Sequence, residues 1–456
     1  MNKLFSIFKN LLFLMVIICS SQNVIAQKSA AYEMMVDGVK VIVQPGNNDI
    51  VEIQTVIKGG VQNYTLEKEG IENLAISALT ECGTAADDKN SFKNKLDKVS
   101  AWVYGNTGMD FATISMNCIK SDVDVVWPLY VAAITTPRFD EKEFNRIKQD
   151  AINNLKSQAS QPDYAISKLA KETAFKGRDY AKIPEGTEET VSKITAGMAK
   201  AYYQSILTKS RMVIVVVGDM DKDELTAKLT KMLAVIPQGK SFKLKKELYL
   251  PVKNSFTVQK SELATNYIQG ITGAPAPGTA EYNAFVLAMR IFSTRHFLEV
   301  RSKNGLSYAP GAYFDGGTSP SANFIVSTTE PNKYINVVQS LVEKVKKEGF
   351  TEQELKDMKT VYLTSFYYRQ ETNSAQASSF VNNEVLHDNW KRALTINDDL
   401  KKVTLQDIDN VFNKYINKLT WSYRGDPARV NPQLFTSNNS TKTVLPKAKV
   451  SVTKKD

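Results

Sequence analysis

The chain has 456 residues, of which 43% are hydrophobic and 23% are charged, with a formal net charge of +10. This length exceeds what a single core usually holds and suits two domains of roughly 200 residues each. Only three cysteines are present, which excludes a disulfide scaffold and a cysteine metal site.

The N-terminus has the pattern of a secretory signal. Two lysines, Lys3 and Lys9, precede an apolar run, 11–19, and a polar stretch then ends at Ala26. Residues 1–26 are therefore predicted to be a signal peptide, and the mature protein is expected in the periplasm or associated with the cell envelope. A lipoprotein site at Cys19 is disfavoured because two bulky isoleucines come before it.

The positive charge is concentrated at the C-terminus. Without Lys3 and Lys9 of the signal, 56 basic and 48 acidic residues remain, a net charge of +8, and residues 441–456 carry five lysines against one aspartate. This Lys-rich tail supplies half of the excess, so a nucleic-acid partner is not expected. No later segment approaches ~18 unbroken apolar residues, so no stable membrane insertion is expected. An electrostatic attachment to an anionic membrane or glycan surface remains open.

Three helix and strand signals occur twice along the chain, in the same order. They pair at offsets of 211, 209 and 207 positions: 139–144 with 350–355, 193–195 with 402–404, and 218–219 with 425–426. The first two signals are capping residues before an apolar-periodic run, and the third is a strand that ends in Gly-Asp. Such repetition indicates two units of one fold.

The predicted fold class is α+β, with two similar domains. Each is expected to be a largely antiparallel sheet covered by helices on one face, because runs of strands precede runs of helices. We place the N-terminal domain at 27–240 and the C-terminal domain at 241–440. The polar stretch at 236–256, with prolines near both ends, is a suitable linker.

Several chemistries are excluded by the residues present. A zinc-peptidase helix needs two histidines four apart with a glutamate, whereas His296 and His387 are the only histidines and lie far apart. No Gly-x-Ser-x-Gly turn, phosphate-binding loop or dinucleotide fingerprint appears. His296 is expected to serve packing or a hydrogen bond, and nothing in the sequence indicates a nucleophile with its base.

Several segments resemble a known family. The stretch "GIENLAISALTECGT" at 70–84 has the apolar spacing of a plain core helix, but its order with other segments is specific. It occurs with "DGVKVIVQP", "PEGTEETVSKITAGMAKAYYQSI", "RMVIVVVGDMD" and "RHFLEVRSKNGLSYAPGAYF". Together these resemble the insulinase-like zinc metallopeptidase family, which includes pitrilysin and the mitochondrial processing peptidase. The resemblance covers nearly the whole predicted mature chain.

The resemblance implies that the metal site has lost its ligands. Active members carry His-x-x-Glu-His on this helix, and Asn73 and Ser77 stand here at the histidine positions, with Ile76 at the catalytic glutamate. The third ligand position, counted from Ser77, falls on Asn154. Asparagine and serine are poor zinc ligands and isoleucine cannot accept a proton. We therefore expect no metal, no cofactor and no catalytic residue in this chain, with zinc only in a partner subunit.

The resemblance also implies a substrate-binding pair in the second domain. Arg301 and Tyr308 occupy the Arg-x6-Tyr positions with which non-catalytic subunits of the family hold substrate, and Gly305 allows a turn between them. Without the resemblance, Arg301 would be a surface helix residue and Tyr308 a half-buried strand residue.

Two further pairs of residues are given no active role. Glu72 and Glu81 are interpreted as solvated helix charges, since two carboxylates without histidines make a weak zinc site. Whether Cys82 and Cys118 pair is left open, because sequence does not give the separation of their Cα atoms.

The predicted function is that of a non-catalytic subunit of an exported insulinase-like metallopeptidase. It would bind and position peptide for a separate active subunit of the same family. The alternative is a homodimeric peptide-binding or scaffold protein of the cell envelope with no enzymatic role.

Overall fold

The computed structural model describes residues 30–437 of the chain. The predicted signal peptide at 1–26 and the Lys-rich tail at 441–456 lie outside the described residues.

Strands of the described chain form two sheets, one in each half. They are β1 (Tyr32–Val36), β2 (Val39–Gln44), β3 (Ile50–Lys58), β4 (Trp102–Thr107), β5 (Phe111–Ile119), β6 (Met212–Val217), β7 (Ser255–Lys260), β8 (Asn266–Gly273), β9 (Gly311–Asp315), β10 (Ser321–Thr328) and β11 (Thr420–Gly425).

The two sheets repeat one topology. The first has the order β1-β2-β6-β3-β5-β4 and the second has the order β7-β11-β8-β10-β9. Without β1 the orders correspond strand by strand, including the parallel pairs β2/β6 and β7/β11, and the other neighbours run antiparallel. The predicted α+β class, with two similar and largely antiparallel sheets, is confirmed.

Helices connect and cover the sheets. In chain order they are α1 (Ile71–Glu81), α2 (Lys89–Asp97), α3 (Val123–Thr135), α4 (Glu141–Ala159), α5 (Pro162–Ala174), α6 (Glu188–Lys193), α7 (Ala196–Ile206), α8 (Lys222–Leu233), α9 (Glu281–Phe297), α10 (Pro331–Glu348), α11 (Glu352–Arg369), α12 (Asn373–His387), α13 (Arg392–Lys402), α14 (Leu405–Tyr415) and α15 (Pro432–Thr436). Within residues 30–437, no helix combines the length and hydropathy that a membrane crossing requires.

Equivalent caps start equivalent helices in the two halves. Asp140 accepts hydrogen bonds from two backbone N–H groups at the start of α4, and Thr351 forms a reciprocal capping box with Glu354 at the start of α11. Thr195 and Thr404 cap α7 and α14 in the same way. These bonds satisfy N–H groups that a helix start leaves without partners, which fixes where each helix begins.

Each sheet receives a helix from the other half on its second face. α12, from the second half, packs against β3 and β6 of the first sheet, while α5, from the first half, packs against β8 and β11 of the second. Phe380 and Val385 of α12 join Ile42 and Val215 in one buried cluster. This exchange explains why β6, "MVIVVV", is buried along its whole length instead of alternating.

The segment between the halves contains no helix or strand, yet it is fixed to both of them. The N–H of Lys245 donates to the side chain of Gln62 at 2.9 Å, and the N–H of Glu247 donates to the carbonyl of Thr318 at 3.1 Å. Tyr249 is hydrogen-bonded through its hydroxyl to Thr420 of β11. The predicted linker is therefore part of the junction between the halves.

A buried carboxylate also joins the two halves. Asp110, in the turn before β5, accepts hydrogen bonds from the Tyr180 hydroxyl at 2.9 and 2.7 Å and from the Thr318 hydroxyl of the second half. The backbone N–H of Thr318 donates to Tyr180 Oη at 2.7 Å. Burial raises the pKa of Asp110, and these donors oppose that shift.

We predict that Gly317→Ala destabilises this junction strongly. Gly317 has φ +100°, and a Cβ there would lie 2.1 Å from Tyr180 Oη and 2.8 Å from Asp110 Oδ2. We expect a loss of about 3 kcal/mol or more in the free energy of unfolding, measured in urea.

Gly177→Ala is the matched control. Gly177 has a similar left-handed φ of +77°, but no atom lies within 4 Å of the added Cβ, so we expect a loss of only about 1 kcal/mol. Equal losses in the two variants would show that the junction tolerates the added methyl group.

Candidate functional site

Helix α1 carries three of the four predicted metal-site positions. It begins after Gly70, whose φ is +86° and whose Cβ would lie 2.7 Å from Val191, so a glycine is needed where the chain enters the helix. Ile76 is 1% exposed and packs against Gly105 of β4, while Asn73 accepts a hydrogen bond from Thr107 at 3.2 Å. The residues at these positions therefore pack α1 onto β4.

The fourth predicted position lies on a neighbouring helix. Asn154 is exposed on α4, which packs against α1, and Ser77 of α1 is half-buried. The two helices are joined by an ion pair in which Arg146 contacts Glu81 at 3.0 Å. The elements are adjacent, but none of the four residues offers an imidazole or a carboxylate.

No alternative metal centre replaces this one among the described residues. Over residues 30–437, no group of three or more histidine, cysteine, aspartate or glutamate side chains is placed to hold a metal ion. His296 is fully buried, and its Nε2 is hydrogen-bonded to the Tyr334 hydroxyl at 3.2 Å. Burial lowers the pKa of His296 to about 4. Its role is packing, as the sequence indicates.

Glu72 was wrongly interpreted as a solvated charge. Its side chain is 2% exposed, and Oε2 accepts hydrogen bonds from Asn63 at 3.1 Å and from the Tyr202 hydroxyl. Arg211 is linked to Glu72 through Asn63, since its guanidinium donates a hydrogen bond to Asn63 Oδ1 at 2.6 Å. Glu72 Oε1 has no hydrogen-bond partner. No sequence signal pointed to this network, because Asn63, Tyr202 and Arg211 come from distant segments.

Burial controls the electrostatics of this network. It raises the pKa of Glu72 against the opposing effects of Tyr202, Asn63 and Arg211, since removing a carboxylate from water disfavours its charged form. The pKa of Tyr202 is raised by burial and by the neighbouring Glu72, so the phenol stays protonated and donates. Glu81, the other glutamate of α1, is half-buried and ion-paired rather than freely solvated.

The predicted substrate pair is brought together on the surface of the second half. α9 continues into a π-helical segment, Leu298–Lys303, that carries Arg301, and the chain then turns at Gly305 with φ +61°. The Arg301 guanidinium lies 4.1 Å from the ring centroid of Tyr308 and 5.2 Å from that of Phe297. Tyr308 is 80% exposed.

This arrangement leaves Arg301 and Tyr308 open to a ligand. Stacking on a ring face orients a guanidinium while its N–H groups remain at the edge, where they can donate to a peptide carbonyl or carboxylate. Within the part of the chain that the structure describes, no ion pair engages Arg301, and no hydrogen bond or ring contact joins the pair to α1.

Both cysteines of the described chain are buried free thiols. Burial is the main cause that raises the pKa of Cys82 to about 12 and that of Cys118 to about 11. High thiol pKa values leave little thiolate, so these side chains are unreactive packing groups.

Known proteins are similar to this chain in sequence and in fold. Residues 193–362 match the family described as the peptidase M16 inactive domain. The non-peptidase homolog YmxG of Helicobacter pylori is 23% identical over 414 residues, covering 87% of this chain and 94% of that protein. An uncharacterized zinc protease of Rickettsia felis is 22% identical over 384 residues, covering 82% and 92%.

Solved structures share the architecture. A peptidase M16 inactive domain from Pseudomonas fluorescens has a TM-score of 0.79 at 18% identity, covering 88% of this chain and 99% of that one. The periplasmic protease PqqL of Escherichia coli has a TM-score of 0.75 at 15% identity, covering 88% and 47%.

We predict that Glu72→Gln changes how stability depends on pH. Because the pKa of Glu72 is raised in the folded state, protonation favours folding below the unfolded pKa, and this contribution is lost as pH rises through the folded value. The uncharged glutamine keeps an acceptor for Tyr202 and Asn63 and cannot ionise. The free energy of unfolding of the variant, relative to the unaltered protein, should therefore increase from pH 4 towards pH 8.

Glu352→Gln is the control, since Glu352 is an exposed glutamate in the first turn of α11. The free energy of unfolding of both variants is measured in urea between pH 4 and pH 8. A Glu72→Gln difference that is the same at all pH values would contradict the assignment of a raised pKa.

Proposed function

We propose that this chain, whose residues 193–362 match the peptidase M16 inactive domain, is a non-catalytic subunit of an exported M16 metallopeptidase. It binds extended peptide through Arg301 and Tyr308 and holds the peptide for a zinc-bearing partner subunit.

The observation that carries the proposal is the contrast between two surfaces. Helix α1 is held in the fold by the buried Ile76 and the hydrogen bond of Asn73, and its predicted metal-site positions offer no group that could activate water. Arg301 and Tyr308, by contrast, lie together and are accessible. A site that retains substrate-binding groups without catalytic ones suits a subunit that positions the substrate for another.

The chemistry expected of the pair is electrostatic. A guanidinium donates to a peptide carbonyl, and a tyrosine hydroxyl donates to the oxyanion that develops during attack on the scissile bond. Both groups act on the substrate and neither requires a metal in this chain. Export of the protein rests on the signal-like residues 1–26, and the periplasmic location named for PqqL is consistent with it.

We predict that the purified protein alone binds less than stoichiometric zinc and cleaves no unfolded peptide. The reason is that the α1 positions lack imidazole and carboxylate ligands. Metal analysis after dialysis and a fluorogenic peptide assay, with and without chelator, make the measurement. Chelator-sensitive cleavage by the lone chain would contradict the proposal.

The partner is tested by co-purification of the tagged protein from its native envelope fraction. We expect a chain of similar size that carries His-x-x-Glu-His, in equal amount, together with peptidase activity. Recovery of the protein only with itself, and without activity, would overturn the proposal in favour of a homodimeric binding or scaffold protein.

In the active complex, we predict that Arg301→Gln and Tyr308→Phe each lower kcat/KM by roughly tenfold to a hundredfold. Tyr308→Phe removes the hydroxyl donor and keeps the ring, and Arg301→Gln removes the positive charge and the forked donors of the guanidinium. The peptidase assay of the reconstituted complex makes the measurement.

Lys303→Gln is the matched control, because Lys303 lies in the same π-helical segment and is ion-paired with Glu299 at 2.7 Å. It should leave kcat/KM unchanged. Equal activity of all three variants would show that Arg301 and Tyr308 do not contact the substrate.

A further inference from the structure

A cavity lies in the second half, and its lining includes neither α1 nor Arg301 and Tyr308. Its volume is about 480 Å³, it is partly open to solvent, and side chains of α9, α11, α12 and α13 line it. This volume lies within the range of small-molecule sites. The cavity is lined on one side by charged and aromatic groups that include Tyr282, Arg290, Tyr362, His387 and Arg392.

The charge of this lining is unbalanced. No acidic side chain lines the cavity, and among the described residues no carboxylate forms an ion pair with Arg290 or Arg392. The neighbouring carboxylates are engaged elsewhere, since Asp388 pairs with Lys246 at 2.8 Å and Asp399 with Lys402 at 3.3 Å. Because Arg392 is half-buried, a guanidinium without a counter-ion is unfavourable there and attracts an anion.

Aromatic rings hold the two arginines in place. Arg290 lies 5.0 Å from the ring centroid of Tyr362, and Arg392 lies 5.8 Å from that of Tyr282 and donates to Asn283. Tyr282 in turn packs edge-on against His387, with ring centroids 4.9 Å apart. The guanidinium groups are therefore oriented before a ligand arrives, which reduces the entropy lost on binding.

His387 adds a neutral polar group to the cavity. Burial, with the adjacent charges of Arg392 and Lys246, lowers its pKa to about 4, and its Nδ1 is buried without a hydrogen-bond partner. The imidazole is thus uncharged near neutral pH and adds no positive charge to the lining.

The remaining lining is divided between apolar and polar groups. Phe366, Leu386 and Ile396 provide apolar surface, while Ser379 and Asn382 provide a hydroxyl and an amide. An inorganic anion would leave the apolar part of such a cavity unfilled. A ligand that joins a carboxylate to an apolar or aromatic group would fill it and pair with the arginines.

We propose that this cavity binds a carboxylate carried on an apolar or aromatic group. Two sources provide that chemistry, namely the C-terminal residue of a peptide and a free aryl or alkyl carboxylate. The site is separate from Arg301 and Tyr308, and its binding is independent of any partner subunit.

Calorimetric titration of the purified protein with three probes tests the proposal. The peptide Ala-Ala-Phe is expected to bind, and its C-terminal amide is expected to bind at least about tenfold more weakly, because the charge that pairs with the arginines is gone. 3-Phenylpropionate distinguishes the sources: affinity equal to that of the peptide identifies a free carboxylate, and much weaker affinity identifies a peptide C-terminus.

Arginine variants locate the binding. Arg290→Gln and Arg392→Gln should each weaken binding of the better probe by about tenfold or more. Arg138→Gln, at an exposed arginine 3.9 Å from Asp140 in the first half, should leave it unchanged. Thermal unfolding of each variant shows whether it is folded. The comparison of Ala-Ala-Phe with its C-terminal amide uses the unaltered protein, so it tests the proposal even if a variant does not fold.

The proposal is overturned if no probe binds, if the acid and the amide bind equally, or if both folded cavity variants bind like the unaltered protein. None of these outcomes depends on peptidase activity, so this site and the proposed subunit function fail or hold separately.

Discussion

The exchange of helices between the two halves is the constraint on which the rest of the structure depends. Helix α12 covers the second face of the first sheet, and α5 covers that of the second. Strand β6 is apolar on both faces and would expose half of its side chains to water if the halves separated. The Asp110 network and the ordered segment around Glu247 lie across the same junction.

This frame holds α1 in place through packing and hydrogen bonds. Ile76 packs against Gly105, and Asn73 bonds to Thr107, so α1 is held by β4 and by the helices beside it. Packing and hydrogen bonds thus supply the stability of the region. Arg301 and Tyr308 lie elsewhere, on the surface of the second half, where the guanidinium stacks on the tyrosine ring.

Each half contains ionisable side chains that form no ion pair among the described residues. In the first, the Glu72 carboxylate is buried with one oxygen unpartnered, near the half-buried Arg211. In the second, Arg290 and Arg392 line a cavity that contains no acid. The first group is enclosed by phenols and amides, so it stays a structural element. Arg290 and Arg392 border the open space of the cavity, so they are suited to bind a ligand.

The sequence by itself determined the features that local chemistry encodes. Caps at Asp140 and Thr351 act on N–H groups of their own helices, so the repeated halves and the α+β class could be predicted. The absence of metal ligands on α1 was inferred from a family resemblance and stays a prediction. Only the tertiary structure decided the helix exchange, the burial of Glu72 and the cavity around Arg392. These features depend on contacts between segments that are far apart in the chain. Burial sets the charge and pKa of the ionisable groups involved, and no local sequence pattern predicts it.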